Sequence, residues 1–160
     1  MLSSRNPIAT MRRSVPVRKS VWGPYLWRFF HAIGYRLSQI DDIKERCDKT
    51  KIIWTYTDKL IRLIPCPDCR NHAITEYVHT KYMDPGDGNC DWYQSWAHQF
   101  HNKVNARLNK TIISREESVE ISSSLNAFEQ LQGYINSING WRFLKIDAMV
   151  SSIKEVIEMI

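Results

Sequence analysis

Apolar and polar positions follow a helical rhythm along most of the chain. In "VWGPYLWRFFHAIGYRL", Leu26, Phe30, Ile33 and Leu37 recur at intervals of four, three and four, one face of a 3.6-residue repeat. That spacing predicts a first helix with Pro24 in its first turn, where a missing N–H is harmless. A second helix is predicted over "TKIIWTYTDKLIRLI", whose Ile53, Tyr56, Leu60 and Ile64 share a face. Pro65 ends it, because the residue before a proline avoids the helical region. A third helix runs from Cys66 to about Lys81, and "MDPGDGN" after it reads as loop. Asp91, with Gln94 three residues on, caps a fourth helix ending near Lys110. Ser114 and Glu117 form a second capping-box signal, for a fifth helix to about Gln132. "SINGW" interrupts the pattern. A last amphipathic segment carries Ile146, Met149, Val150, Ile153, Val156, Ile157 and Ile160 on one broad face. No internal repeat and no strand alternation is evident, so the fold class is all-α.

Composition narrows the function classes. At 160 residues the chain is long enough for one domain with its own core. It is 43% hydrophobic with six Trp and seven Tyr, which rules out a disordered tail as its main character. The net charge of +5 is moderate, and no basic run interleaved with aromatics suggests a nucleic-acid surface. No apolar stretch approaches the ~20 residues of a membrane span, and the N-terminus lacks the apolar run of a secretory signal. Residues 1–20, "MLSSRNPIATMRRSVPVRKS", carry Arg5, Arg12, Arg13, Arg18 and Lys19, and the first acid in the chain is Asp41. An Arg- and Ser-rich, acid-free start of this kind resembles a mitochondrial transit peptide. Pro7 and Pro16 interrupt any amphipathic helix there, so a basic disordered arm is the expectation.

The chemistry centres on "LIPCPDCRNHA". A Cys-x-x-Cys can hold zinc, relay electrons or staple a loop. The thioredoxin motif sits at a strand-to-helix turn, whereas here helices lie on both sides. A cysteine at a helix N-terminus feels the positive end of the helix dipole, and Arg70 adds positive charge; both favour thiolate. Zinc is the rival: Cys66 and Cys69 with His98 and His101, three apart on the fourth helix, make a Cys₂His₂ set. An ordinary dithiol with core histidines is the third possibility. Trp27 and His31 lie one turn apart on the first helix. His101 and Asn105, and Asn102 and Asn105, do so on the fourth. Buried amides need partners. A planar heterocycle rich in acceptors would supply them, with tryptophan as its stacking surface. Taken singly, each residue is equally compatible with a satisfied core side chain.

"WGPYLWRFFH", "PCPDC" and "FHNKVNARLNK", in that order, resemble the Erv/ALR family of FAD-linked sulfhydryl oxidases over about residues 21–112. The resemblance is greatest to the short members encoded by large cytoplasmic DNA viruses such as African swine fever virus. It implies a four-helix bundle around FAD with a short fifth helix, in an oxidase domain over 21–125; residues 126–160 lie beyond the resemblance and are expected, from their apolar pattern, as a helical C-terminal extension. It implies that Cys66 exchanges with substrate and that Cys69 lies against the flavin. Gly23, Trp27, His31, His101, Asn102, Val104, Asn105 and Lys110 would bind FAD, with no metal. The reaction would oxidise two thiols with O₂, giving a disulfide and hydrogen peroxide. The partners would be thiol-containing proteins, among them a small thioredoxin-like redox protein, and the enzyme would be a homodimer. A viral member would work in the host cytoplasm or virion; the mitochondrial intermembrane space is the alternative. The alternative function is a zinc-stabilised helical binding module without catalysis, using Cys66, Cys69, His98 and His101.

Three departures from the family pattern bear on this. Pro24 stands where cellular members often have a phosphate-contacting Arg, leaving Lys103 and Arg107 as candidate replacements. Gln99 stands where a flavin-contacting His is frequent, and the disulfide that follows the fourth-helix motif in cellular members is missing. No cysteine occurs in 1–46 or 91–160, so no distal shuttle pair exists there. Cys47 and Cys90 are expected as unpaired thiols in a reducing cytosol, with a disulfide between them as the alternative. Trp141 is a candidate contact for the adenine end of FAD. The apolar face of 146–160 either packs on the bundle or meets a partner.

Overall fold

The computed structural model describes residues 17–81, 92–138 and 146–160. They form α1 (Lys19–Ser38), α2 (Ile43–Arg62), α3 (Pro67–Lys81), α4 (Trp92–Arg107), α5 (Arg115–Ser123), α6 (Ala127–Ile138) and α7 (Ile146–Glu158), with no strand among the described residues. The all-α class expected from the apolar rhythm is therefore observed. The basic arm up to residue 16, the "MDPGDGN" loop, Cys90, Asp91 and Trp141 lie outside the described residues.

α1 is the hub. It packs against α2, α4, α5 and α6, while α2 meets α3 and α7, and α3 meets α4. Its own sequence explains this. Trp22, Leu26, Phe29, Phe30, Ile33 and Leu37 are all buried, too many for a single stripe, so the helix needs neighbours on several sides. Gly34 lets α4 come close: a Cβ there would lie 2.8 Å from the Cα of Gln94. Gly133 does the same for α6, whose backbone seats the Tyr25 ring.

One half of the bundle is filled by aromatic side chains. The rings of Trp54 and Trp96 lie 4.7 Å apart, as do those of Trp54 and Tyr93, and Trp96 stacks on Phe100 at 5.2 Å. Their polar tips are satisfied inside the core, as buried Tyr and Trp require. Trp96 Nε1 donates to Thr80 Oγ1 at 2.8 Å, Tyr93 Oη bonds Thr57 Oγ1 at 2.7 Å, and Tyr77 Oη donates to the Trp54 carbonyl at 3.1 Å.

Three element boundaries differ from the sequence expectation. α2 begins at Ile43, a turn and more before Thr50, because Asp42 caps it by accepting from Glu45 N at 2.7 Å. Its first turns face solvent, with Ile43 60% exposed, and so present no apolar face to read. Pro24 lies inside α1 rather than in its first turn, since the helix starts at Lys19. There it removes the N–H that would meet the Ser20 carbonyl. The single fifth helix expected to Gln132 is two. α5 ends at Ser123, and Asn126 starts α6 by accepting from Glu129 N at 3.1 Å. Ser114 is capped as expected, with both halves of its box formed.

The tail helices are part of the core. Leu131, Tyr134, Ile138, Ile153, Val156 and Ile157 are buried in the same cluster as α1, so this much of the 146–160 face packs on the bundle. The expectation of a free thiol at Cys47 is corrected: it is disulfide-bonded. The compartment argument describes an average thiol, whereas pairing depends on two sulfurs being close, and spacing along the chain does not reveal that.

Candidate functional site

Beside the aromatic filling, with Phe100 shared between the two, α1, α4, α5, the end of α2 and the start of α3 border a cavity of about 710 Å³. Gly23, Trp27, His31, Cys69, His101, Val104, Asn105 and Lys110 line it, eight of the ten residues singled out from the sequence. Cys66 and Asn102 do not. A Cβ on Gly23 would meet nothing within 4 Å, so the helix there borders open space.

The two cysteines are joined in a disulfide, with Cα atoms 5.2 Å apart. Their setting is local. Pro65 ends α2, and Pro67 takes the first position of α3, which leaves Cys66 at the N-cap. The Cys66 carbonyl accepts from Arg70 N at 2.8 Å, and the Cys69 N–H donates to Cys66 Sγ at 3.3 Å. Cys66 sulfur thus caps the N-terminus that was expected to favour thiolate. Arg70 turns away and donates to the Ile64 carbonyl at 3.2 Å, tying α3 to the end of α2. The spacing puts Cys69 on the cavity wall and Cys66 outside it.

Beyond Cys69 the wall is aromatic. Trp27 and His101 stack with centroids 4.4 Å apart and planes at 9°. His31 Nε2 meets His101 Nδ1 at 3.0 Å, and His31 Nδ1 meets Ser118 Oγ at 3.0 Å. Burial, then the neighbouring His101 and His98, pushes the His31 pKa down to about 3. Burial, then Lys110 and His98, pushes His101 down to about 4. Both imidazoles are neutral at pH 7.

The two asparagines one turn apart do different things. Asn102 grips the backbone of Ile113, donating to its carbonyl at 2.8 Å and accepting from its N–H at 3.1 Å. It also meets His98 Nε2 at 3.0 Å. This is amide-to-backbone pairing, and it holds the segment leading into α5 against α4. Asn105 is 7% exposed, and its side-chain amide has no protein partner among the described residues, yet it borders the cavity. Its carbonyl accepts Lys110 N at 2.9 Å across Asn109, whose φ of 52° is left-handed. This closing turn, of the kind that ends many helices, brings Lys110 back to the cavity mouth.

Lys19, Arg28, Arg107 and Lys110 line the cavity with no Asp or Glu, and none of the four makes an ion pair among the described residues. Of the two basic candidates from the sequence, Arg107 is at the cavity, whereas Lys103 pairs with Glu76 at 3.0 Å, bridging α4 to α3. Gln99 is exposed and away from the wall. Lys19, Arg28, Trp22 and Ser118 were not singled out from the sequence. Trp22 and Arg28 each sit next to one that was, Gly23 and Trp27, on the same helix. Ser118 carried no signal, because only packing of α5 across α1 brings it to His31. The zinc set does not gather: Cys66 and Cys69 are bonded to each other, His98 meets the Ile113 carbonyl at 2.9 Å, and no metal-holding group of His, Cys, Asp and Glu occurs among the described residues.

Comparison with known proteins follows the same residues. The Erv1 / Alr family model matches residues 24–124. The FAD-linked sulfhydryl oxidases of three African swine fever virus isolates, from Malawi, Kenya and Namibia, are each 34% identical over 125 residues. Each alignment covers 77% of this chain and 98% of the relative. No solved structure gives a significant match. With more than half its length matched by the family model and Cys69 of its disulfide on the wall of an aromatic, cationic cavity, the chain belongs to the Erv1 / Alr family.

Proposed function

We propose that the chain is an FAD-dependent sulfhydryl oxidase that forms disulfide bonds in thiol-containing proteins. The observation that carries this reading is that one sulfur of a Cys-x-x-Cys disulfide lines the cavity while the other stays outside it. Relatives named FAD-linked sulfhydryl oxidase support it.

The residues present fit a flavin dinucleotide. The cavity volume of about 710 Å³ lies within the roughly 300–1,000 Å³ of small-molecule and cofactor sites. Its four cations without acids suit a pyrophosphate, and the unpartnered Asn105 amide and the Trp27–His101 stack suit a planar heterocycle. Gly23, Trp27, His31, His101, Val104, Asn105 and Lys110 would hold the cofactor. Asn102 would serve it indirectly, through Ile113. Arg107, with Lys19 and Arg28, would replace the phosphate contact that Pro24 cannot make.

The chain's own chemistry is thiol–disulfide exchange. A substrate thiolate attacks Cys66 Sγ, forms a mixed disulfide and expels the Cys69 thiolate. The second substrate thiol, deprotonated, attacks the substrate sulfur of that mixed disulfide and expels Cys66. Departure of Cys66 is eased because its sulfur sits at a helix N-terminus and accepts the Cys69 N–H. Substrate leaves as a disulfide, and the two cysteines hold its two electrons. FAD, when bound, supplies the two-electron acceptor that passes them to O₂ as hydrogen peroxide. Cys69 is half-buried against a wall that is largely aromatic and apolar.

The finer reading is a homodimer, built from an oxidase unit over 21–125 and an extension over 126–160. It works in the host cytoplasm or virion on a small thioredoxin-like electron donor. No described helix is long and apolar enough to cross a membrane. The test is direct. Full-length protein should purify yellow, release FAD on denaturation, and consume O₂ with a dithiol while producing peroxide. A colourless protein with no flavin affinity would sink the reading. A Cys69→Ser variant should trap the donor on Cys66; recovery of structural proteins alone would remove the thioredoxin-like relay.

A further inference from the structure

The cavity wall contains a hydroxyl that the exchange chemistry does not use. Ser118 is 3% exposed, and its Oγ has one partner, His31 Nδ1, at 3.0 Å. Other serines in the C-terminal half bond back to their own helices. Ser123 donates to the Glu120 carbonyl, Ser124 to Ile121, Ser137 to Tyr134, Ser152 to Ala148 and Ser122 to Ser118 itself. Ser118 is turned outward from α5 to meet α1. The link continues, since His31 Nε2 meets His101 Nδ1 at 3.0 Å. The last nitrogen, His101 Nε2, has no protein partner among the described residues, and its ring lines the cavity.

Counting protons gives this line a direction. Burial keeps both rings neutral, so each carries one N–H. In one order, Ser118 donates to His31 Nδ1, His31 Nε2–H donates to His101 Nδ1, and His101 holds its proton on Nε2. In the other, His101 Nδ1–H donates to His31 Nε2, and His31 Nδ1–H donates to Ser118. The serine proton then has no protein acceptor among the described residues although the side chain is 3% exposed, whereas in the first order the open end is His101 Nε2–H, whose ring is the more exposed of the two, so the second order is the costlier. We propose that Ser118 sets the tautomers of His31 and His101, so that His101 offers an N–H donor, not a lone pair, to the occupant of the cavity. Ser118 is a positioning residue, acting through two imidazoles. It selects for an occupant that turns an acceptor edge toward His101, as the ring nitrogens and carbonyls of a flavin do. That identity rests on the FAD reading, whereas the proton order belongs to the protein alone.

The experiment is long-range ¹H–¹⁵N NMR of the full-length protein labelled in histidine, at pH 7. Wild type should show protonated Nε2 and unprotonated Nδ1 on both rings. Ser118→Thr, which keeps the hydroxyl, should preserve that pattern. Ser118→Ala should move the His31 and His101 signals toward averaged values. Ser118→Asp, which supplies an acceptor, should reverse both rings to protonated Nδ1 and weaken FAD about tenfold, as loss of one well-placed hydrogen bond does. A wild-type His101 protonated on Nδ1 would overturn the proposal. So would a Ser118→Ala spectrum identical to wild type, which stays readable even where the Asp variant does not fold. If the expected proton order appears in a protein with no affinity for flavin, the oxidase reading fails and the role of Ser118 stands.

Discussion

The two halves of the bundle share α4 and come out opposite in packing. Around Trp54, Tyr93 and Trp96 the rings pack against one another, and polar tips are satisfied by Thr57, Thr80 and a backbone carbonyl. Around Trp27 and His101, α1 and α4 border a cavity of about 710 Å³, with the Asn105 amide unpartnered on its wall. The difference is residue size by position. On α4, Trp96 and Phe100 are followed a turn later by Val104, and on α1 Gly23 stands where a larger side chain would project into the space. The filled half supplies stability, and the hollow half is the part that selection for stability alone would have closed.

Changes on the two sides should therefore fail in different ways. The largest effect belongs to the cysteines. Cys66→Ser and Cys69→Ser should both lose dithiol turnover to background while remaining folded and flavin-bound. They should differ in colour. With Cys66 replaced, Cys69 is the free sulfur at the wall, and a long-wavelength charge-transfer absorbance should appear and fade on acidification; Cys69→Ser should lack it. The reverse pattern would exchange the two assignments. In the filled half, Trp96→Ala should cost about 3–5 kcal/mol, as large-to-small core changes do. This would be read as a fall in Tm, with turnover per folded molecule little changed. Loss of turnover at intact stability would mean that the halves are not separable.

Acid should strike the hollow half. Unfolded histidine takes a proton near pH 6.5, whereas folded His31 resists to about 3 and His101 to about 4. Between these values the unfolded state binds more protons, so stability is full above about pH 6.5 and drains as pH falls toward 4. His31 alone contributes up to about 1.4 kcal/mol per pH unit. Thermal melts from pH 7 to 5 check this, and His31→Gln should flatten the slope. The smallest effect is expected at Gly23. Gly23→Ala should raise the stability of the flavin-free protein by up to about 1 kcal/mol and weaken FAD, a change of opposite sign in two assays. A gain in both would mean that the cavity wall at Gly23 is not used.

Much of this was legible in the chain because it is written locally. Apolar spacing gave α1, and Pro65, Cys66 and Pro67 mark the end of one helix and the start of the next without reference to anything distant. The Ser114–Glu117 box formed as read. What was missed is of two kinds. Asp42 and Asn126 are caps of the same chemistry as Ser114. One, however, precedes turns that face solvent, and the other interrupts a run without Gly or Pro, so periodicity did not point to them. Lys19, Arg28 and Ser118 are cavity residues only because α1, α4 and α5 pack as they do. Asn102 and Asn105 look alike in sequence, and only the placement of Ile113 separates the clamp from the cavity wall.

Asn109 is exposed, so a surface view would count it free to vary. Its backbone turns at a φ of 52°, a handedness that L-residues other than Gly, Asn and Asp enter at a cost of about 1–2 kcal/mol. The constraint is one of chirality, not of contact. A valine there would be accommodated by every neighbour and still swing Lys110 off the cavity mouth. In a record of tolerated substitutions, this outward-facing position should look as restricted as the buried ones, with glycine as its natural substitute.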